Sequence, residues 1–242
     1  DVETIYGTDL YLYNRMEPSI WGANEEFISC PQLDDLQCAY TSLQGFLKGA
    51  NKQSINVFAC FDNEEVGSGT KQGAGSTFLY DAMRRINNAL GKGEEEYYRA
   101  LASSFMLSAD NAHAVHPNHP AKTDVNNCVY MNEGIVVKSH AGQKYTSDAV
   151  SIAVFKGLCK KAGVPVQFFS NRSDTAGGST LGNIAMAQVS MNSVDIGLPQ
   201  LAMHSSYETA GVKDTAYMIK VMEEFFNSHI EEMSGHILKV TK

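Results

Sequence analysis

A pair of adjacent glutamates, Glu64 and Glu65, follows a mostly apolar stretch at 54–60 that is typical of a buried β-strand. Two carboxylates at the end of a buried strand are costly to place unless a positive group stabilises them. In open α/β sheets, ligands bind at the carboxyl ends of the strands. One glutamate could bind a metal ion, and the other could be the base that deprotonates a water on that ion. A solvated acidic turn is the alternative for this pair considered alone.

The composition is that of an acidic globular protein. The 242 residues are 43% hydrophobic and 19% charged, which suits one sizeable α/β domain or two small ones. The net charge of −8 disfavours nucleic acid and anionic membrane surfaces as partners. Since no apolar run approaches the roughly 20 residues that span a bilayer, we expect no membrane association.

The five cysteines are scattered along the chain, and none has Cys-x-x-Cys spacing. Their odd number and apolar surroundings favour reduced core thiols over a disulfide framework. A metal ion in this chain would therefore be bound by carboxylate and imidazole groups. Because the first residues do not resemble a signal peptide, we expect a cytoplasmic protein.

Hydrophobic periodicity predicts helices that alternate with strands. Helices are predicted over 36–48, 76–89, 94–107, 146–162, 179–189 and 213–229, and strands over 54–60, 134–138, 166–169 and 194–196. This alternation predicts an α/β fold with a mostly parallel central sheet flanked by helices. Thr146 or Ser147 is the expected N-cap of the fourth helix. The polar segment 110–133 has no period, and irregular segments of that length are usually functional.

Four short segments place acidic or imidazole groups just after apolar runs. They contain Asp34, Glu65, Asp110 and His204. Taken singly, Asp34 and Asp35 could cap the following helix, Asp110 could belong to an ordinary turn, and His204 could be a hydrogen-bonded, semi-buried histidine. Taken together, three carboxylates and a histidine match the ligand set of a two-metal hydrolase.

The sequence around these residues resembles the aspartyl aminopeptidase/aminopeptidase I family of dinuclear zinc metallopeptidases. The matching segments occur in the family's order at 33–36, 61–68, 108–118 and 201–205. Segment 108–118 is the most specific, whereas the Glu-Glu-Val-Gly element is shared with related aminopeptidases. The resemblance covers essentially the whole chain. It implies a zinc-peptidase-like catalytic domain that hydrolyses the N-terminal residue of peptides, with Asp or Glu as the expected residue.

The resemblance implies two divalent metal ions, expected to be Zn²⁺. Asp34 would bridge them, Glu65 and His204 would complete the ligands of one ion, and Asp110 would bind the other. A bridging carboxylate can hold two cations roughly 3.5–4 Å apart, so that together they acidify water and stabilise a tetrahedral intermediate.

The resemblance also implies three roles in catalysis and substrate binding. Glu64 would be the general base that takes a proton from the metal-bridging water. His113 would lie close to the reacting carbonyl or its oxyanion. Lys138 would pair with the acidic side chain of the substrate's first residue, since an ammonium is a suitable partner for a carboxylate. The alternative for Lys138 is a strand-end lysine that extends its ammonium into solvent.

One ligand of the family pattern is absent. The family has a fifth ligand, a histidine well before the bridging aspartate, but this chain has no histidine before His113. We therefore expect an N-terminally incomplete catalytic domain over 21–242. Residues 1–20 would be a remnant that links to a missing inserted or dimerisation domain. The expected assembly is a homo-oligomer, built from dimers as in the family's dodecamers.

Two other functions fit the same residues. A related dinuclear amidohydrolase or carboxypeptidase would not require a free α-amine in its substrate. An inactive fragment with a structural or assembly role is the second alternative, because one of the two metal sites lacks a ligand.

Overall fold

The computed structural model describes residues 2–234 and 237–241. Two short 3₁₀ turns lie at Val2–Thr4 and Pro120–Lys122. The helices and strands follow in chain order as β1 Ser19–Trp21, β2 Phe27–Cys30, α1 Leu33–Lys48, α2 Phe78–Ala89, α3 Glu94–Ala102, β3 Phe105–Ala109, β4 Ala112–His113, β5 Ile135–Ser139, α4 Ala149–Ala162, β6 Val166–Ser170, α5 Leu181–Met186, β7 Asn192–Gly197, β8 Pro199–Leu201, β9 Glu208–Gly211, α6 Val212–Asn227, β10 His229–Ser234 and β11 Ile237–Thr241.

Two sheets organise the domain. A four-stranded sheet has the order β3-β7-β5-β6, with parallel β3–β7 and β5–β6 pairs and one antiparallel β5–β7 pair. A five-stranded sheet has the order β1-β2-β9-β8-β4, in which only the β4–β8 pair is parallel, and β10 and β11 form a hairpin. The predicted α/β class, with helices flanking a mostly parallel sheet, is confirmed for the four-stranded sheet. The five-stranded sheet is mostly antiparallel.

The two sheets are joined where β3 continues into β4 and β7 continues into β8. Asp110 N donates to Ile196 O at 3.0 Å, and Ala112 N donates to Leu198 O at 2.8 Å. The backbones are so close that a Cβ on Gly197 would lie 2.0 Å from the Asp110 carbonyl oxygen, which requires glycine there. This junction places the residues that follow β3 and β8 at one edge of the molecule.

The main core lies between the four-stranded sheet and two helices, α4 and α6. Strands β5 and β7 contribute alternate apolar side chains from one face, and the helices contribute the opposing layer. The most deeply buried members of this core are Ile135, Val137, Phe155, Leu158, Val194, Ile196, Met218 and Val221. Helix α1 packs on α6, where a Cβ on Gly45 would come within 2.3 Å of Met222 Cβ. Among the described helices, none combines the length and hydropathy needed to span a bilayer.

Two predicted elements are wrong. The helix predicted over 94–107 ends at Ala102, and Phe105–Ala109 forms β3, because these residues pair with β7. The strand predicted over 54–60 forms no ladder with any described strand. Phe58 lies with its ring centroid 6.2 Å from that of Phe46 in α1, whereas Ile55 and Val57 are exposed. The apolar run therefore predicted a buried strand at a position where the described residues provide no strand partner.

Two smaller predictions also need correction. The N-cap of α4 is Asp148, whose side chain accepts a hydrogen bond from Ser151 N, rather than Thr146 or Ser147. In α1 the apolar stripe that predicted the helix is exposed: Leu36, Tyr40 and Leu47 are 61%, 54% and 67% accessible. The helical spacing predicted the helix correctly but not its buried face. The face of α1 that is buried carries smaller residues, among them Cys38 and Gly45.

Candidate metal centre

The predicted site residues line one cavity of about 580 Å³. The cavity lies at the edge where the strand ends converge, and the segments 116–124 and 169–180 form its outer walls. The sequence-predicted residues that line it are Asp34, Glu64, Glu65, Asp110, His113, Lys138 and His204. The structure therefore brings together residues that are up to 170 positions apart in the chain.

Asp34, Glu65 and His204 form the first cluster. His204 Nε2 lies 3.2 Å from Asp34 Oδ2 and 3.2 Å from Glu65 Oε2. His204 is in the turn after β8 with a positive φ of 66°. One potential ligand atom from each residue lies within 4.8 Å of the others. Two carboxylates and an imidazole at this spacing are a suitable donor set for zinc.

Asp34, Asp35 and Asp110 form a second cluster, and Asp34 is shared between the two. Asp34 and Asp35 have non-helical dihedral angles and are joined by a cis peptide bond. The capping alternative for Asp34 does not hold, because the N-cap position belongs to Gln32 and no side chain caps the helix. Asp35 was not among the predicted site residues. The sequence feature that could have identified Asp35 is its position next to Asp34, but adjacent aspartates are also typical of the start of a helix.

The charges in this region are not balanced by the described residues. Asp34 Oδ1 and Asp35 Oδ1 are buried and have no hydrogen-bond partner within residues 2–234 and 237–241. Burial, together with the negative charges of Asp110 and Glu65, raises the pKa of Asp34 to about 9. Burial and the charges of Asp110 and Asp34 also raise the pKa of Asp35. A buried oxygen without a partner on each of two adjacent carboxylates fits a bound divalent cation, which would supply positive charge there.

Lys138 is buried on β5 and pairs with Asp110. Its Nζ lies 3.1 Å from Asp110 Oδ2, and it is 5.8 Å from the centroid of the Tyr145 ring. Burial lowers the pKa of Lys138, but the Asp110 carboxylate and other negative groups outweigh burial and raise it overall. The alternative of a lysine extending into solvent does not hold, since only 4% of the side chain is accessible. Its ammonium is beside a predicted metal ligand.

Glu64 and His113 face the same cavity. A tight turn, in which Gly67 N donates to Glu64 O at 2.8 Å, directs both Glu64 and Glu65 into the cavity. Burial and the charges of Asp110 and Glu65 raise the pKa of Glu64 to about 7, a value suited to a general base. Enclosure by the cavity walls, and then the charges of Lys138 and His204, lower the pKa of His113.

Behind the cavity, a second layer of buried polar side chains supports the site, and none of these was singled out from the sequence. Glu208 accepts hydrogen bonds from Asp34 N at 2.9 Å and from His204 N at 2.8 Å. Asn111 donates to Gln200 Oε1 at 2.6 Å and accepts from Cys38 Sγ at 2.8 Å. The site residues are thus attached to a buried hydrogen-bonded network.

The α/β fold brings together a carboxylate-rich cavity whose donor groups suit divalent metal ions. Residues 1–226 match the family model described as aminopeptidase I zinc metalloprotease, M18. The chain therefore belongs to the M18 family, and the resemblance inferred from the sequence is confirmed. Zinc is the metal named in that family's description.

Individual relatives agree with this assignment. The chain is 48% identical over 227 residues to a probable M18 family aminopeptidase 2 of Clostridium acetobutylicum, covering 94% of this chain and 52% of that protein. It is similar to a chain in the cryo-EM structure of the Ape4 and Nbr1 complex, with a TM-score of 0.82 and 35% identity over 88% of this chain and 42% of that one.

It is also similar to the S. cerevisiae mApe1 dodecamer, with a TM-score of 0.78 and 28% identity over 88% of this chain and 49% of that one. The chain spans about half the length of the curated relatives that it matches.

Proposed function

We propose that this chain is the metal-binding part of an aminopeptidase that removes the N-terminal residue of peptides by using two zinc ions. One observation carries the proposal: Asp34 is shared by two ligand clusters, one completed by Glu65 and His204 and the other by Asp35 and Asp110. A carboxylate shared in this way is the arrangement that two adjacent cations require. The partnerless oxygens of Asp34 and Asp35 support it.

Each cavity residue has a role in this reaction. When bound, the zinc ions would acidify a water molecule and polarise the scissile carbonyl. Glu64 would accept the proton of that water and later deliver it to the leaving amine, because its carboxylate faces the cavity beside the predicted ligands. His113, kept neutral by its lowered pKa, donates a hydrogen bond to the developing oxyanion. Lys138 would favour an acidic first residue, since its ammonium lies at the cavity.

The two clusters differ in donor type. The first has an imidazole and two carboxylates, whereas the second has three carboxylates and, in the part of the chain that the structure describes, no histidine. Imidazole suits zinc, and carboxylates alone suit harder cations such as Mg²⁺ or Mn²⁺. We therefore expect one tightly bound zinc ion at Asp34, Glu65 and His204, and a weaker second site.

Assembly and location are part of the same proposal. The yeast relative forms a dodecamer, so we expect a homo-oligomer. The five cysteines are all free, which supports a reducing, cytoplasmic environment. Residues 5–18 are almost entirely exposed and have no regular secondary structure, which supports a linking segment within residues 1–20 ahead of a catalytic domain over 21–242. Ser19 and Ile20 pair with β2 as part of β1, so these two residues belong with the domain.

The test is zinc content together with peptide hydrolysis, both measured on this 242-residue chain. The protein is dialysed against a weak chelator, its zinc is counted, and it is assayed on Asp-, Glu- and Leu-amides and their N-acetylated forms. We expect bound zinc that is lost in His204→Ala and cleavage only of substrates with a free amine. Absence of zinc would overturn the metal site. Cleavage of N-acetylated substrates would favour an amidohydrolase, and bound zinc without turnover would favour an assembly role.

A further inference from the structure

Glu208 is a buried carboxylate that contacts the backbone of two predicted metal ligands at once. It begins β9, and only 2% of its surface is accessible. Its Oε2 accepts a hydrogen bond from Asp34 N at 2.9 Å, and its Oε1 accepts one from His204 N at 2.8 Å. One side chain therefore connects two backbone segments that are 170 positions apart in sequence.

Strand pairing explains why this residue reaches both segments. In the five-stranded sheet, Glu208 lies opposite Cys30, the last residue of β2. Asp34 comes four residues after Cys30, and His204 comes four residues before Glu208 in the turn between β8 and β9. The Glu208 carboxylate thus lies where the chain enters α1 and where the β8–β9 turn closes.

We propose that Glu208 is a positioning residue of the metal centre: by holding Asp34 N and His204 N on its two carboxylate oxygens, it sets the spacing between the Asp34 carboxylate and the His204 imidazole. This inference rests on the proposed function, since it concerns the same metal centre. Glu208 belongs to neither ligand cluster. Both of its oxygens are occupied by backbone donors, so it acts on the centre through Asp34 and His204.

The two backbone segments that Glu208 connects are irregular. Asp34 and Asp35 interrupt the helical dihedral angles at the start of α1, and His204 has a φ of 66°, a region that non-glycine residues rarely adopt. Hydrogen bonds to an ionised carboxylate are stronger than those between neutral groups. They hold both residues in these conformations and leave their side chains directed into the cavity. Groups that orient metal ligands in this way typically change metal affinity by about 10- to 100-fold when they are replaced.

Asp214 provides a matched control. It is completely buried, and it also accepts two backbone hydrogen bonds, from Asn132 N at 2.5 Å and from Gly134 N at 3.0 Å. Its hydrogen bonds go to residues other than the predicted ligands, and like Glu208 it does not line the cavity. Glu208→Gln and Asp214→Asn each replace a buried carboxylate by the isosteric amide, so both leave one backbone N–H facing an NH₂ group.

The experiment compares zinc affinity in the wild type, Glu208→Gln, Glu208→Asp and Asp214→Asn. Affinity is measured by competition with a chromophoric chelator, and ligand geometry is measured from the visible absorption of the Co²⁺-substituted protein. We expect Glu208→Gln to bind zinc about 10- to 100-fold more weakly and to shift the Co²⁺ bands. Glu208→Asp keeps the charge but is one methylene shorter, so we expect an intermediate loss. Asp214→Asn is expected to lower the thermal midpoint and leave zinc affinity and the Co²⁺ spectrum unchanged.

Each other outcome overturns a defined part of this inference. Equal zinc affinity and equal Co²⁺ spectra in the wild type and both folded Glu208 variants would remove the positioning role and leave the proposed metal site standing. Equal weakening in Asp214→Asn would show a general loss of stability. If both Glu208 variants fail to fold while Asp214→Asn folds, Glu208 is a folding residue. A wild type that binds no zinc would overturn the proposed function as well.

Discussion

The predicted metal centre and the surroundings of Asp195 are two acidic regions with opposite hydrogen bonding. Asp195, on β7, is completely buried, and its carboxylate accepts four hydrogen bonds. Its Oδ1 accepts from Ser108 Oγ at 2.6 Å and Thr180 Oγ1 at 2.7 Å, and its Oδ2 accepts from Thr146 N and Thr146 Oγ1 at 2.5 and 2.9 Å. Asp34 and Asp35, by contrast, each have a buried oxygen without a partner in the described residues.

The difference separates a structural carboxylate from a carboxylate suited to a ligand. Four donors compensate the burial of Asp195, and in doing so they attach two cavity-lining segments, around Tyr145 and Thr180, to the sheet. In the metal centre Lys138 pairs with Asp110 and His204 contacts Asp34 and Glu65, but one buried oxygen each of Asp34 and Asp35 has no donor among the described residues, and a bound cation would compensate their burial. The number of hydrogen-bond donors around a buried carboxylate therefore distinguishes a structural carboxylate from a candidate metal ligand better than burial alone does.

The largest effect is expected for Glu64→Gln. The amide cannot accept the proton of the attacking water, so turnover should fall by about 10²- to 10⁴-fold while zinc content stays nearly intact. Hydrolysis of a Leu- or Asp-amide and zinc content are measured on the same preparation. Glu65→Gln is the neighbouring control, because it should lose zinc as well as activity. More than about 1% residual activity in Glu64→Gln would count against Glu64 as the base.

Asp214 tests whether two donors are sufficient for a buried acid. Burial outweighs its two backbone hydrogen bonds and raises its pKa from 3.8 to about 7. Because the folded protein holds this proton more tightly than the unfolded chain, the contribution of Asp214 to stability is greatest below about pH 4. It is then lost as the pH rises to about 7, at up to about 1.4 kcal/mol per pH unit.

The Asp214 prediction is checked by urea unfolding of the zinc-free protein at several pH values between 4 and 8. Asp214→Asn should remove this component of the slope, so that the difference in unfolding free energy between the two proteins changes with pH over that window. A difference independent of pH would mean that the two backbone donors keep Asp214 ionised throughout, as in a fully compensated carboxylate.

Asp195→Asn and His204→Ala should have opposite effects on two quantities, the free energy of unfolding and the affinity for zinc. Asp195→Asn places an NH₂ group against hydroxyl and backbone donors, and it should cost about 1–3 kcal/mol of unfolding free energy while zinc affinity is retained. His204→Ala removes an accessible ligand, so it should abolish tight zinc binding and change the stability of the zinc-free protein little. Urea unfolding and chelator competition measure the two quantities. Loss of zinc affinity in a folded Asp195→Asn protein would break the distinction between the two regions.

The sequence predicted the parts of the molecule in which local pattern and tertiary packing agree. Helix α6 and strand β5 were predicted to within two residues of their ends, because their apolar faces form the core. The predicted metal ligands lie in four segments that follow apolar runs, and the structure brings these segments together at one cavity. Their grouping was inferred from residue type, from order along the chain and from the resemblance to the family, and their roles stay predictions.

What could not be predicted depends on contacts between distant residues. Glu208 has no local feature that sets it apart from the other acidic residues, and its role is apparent only when Asp34 N and His204 N are both next to it. The exposure of Leu36 and Leu47 likewise depends on what packs beside α1, which helical spacing does not encode. The pairing of Lys138 with Asp110 is a third case, because it joins two strand ends.

That pairing determines the smallest expected effect, for Lys138→Ala. The ammonium of Lys138 pairs with the Asp110 carboxylate at 3.1 Å, so it can attract a substrate carboxylate only if Asp110 is engaged by a cation. Lys138→Ala should then raise KM for Asp- and Glu-amides by about fivefold, equivalent to about 1 kcal/mol, and raise it less for Leu- and Ala-amides. Lys138→Arg retains the charge and should preserve most of the preference.

Steady-state kinetics on the four amides, with zinc in excess, measure the ratio of KM values for acidic and neutral substrates. Zinc in excess matters because Lys138→Ala also removes a competitor for Asp110, which should tighten rather than weaken zinc binding at the second cluster. An unchanged KM ratio accompanied by tighter zinc binding would assign Lys138 to charge balance at Asp110. The lysine would then belong with the donors around Asp195 rather than with the substrate-binding residues.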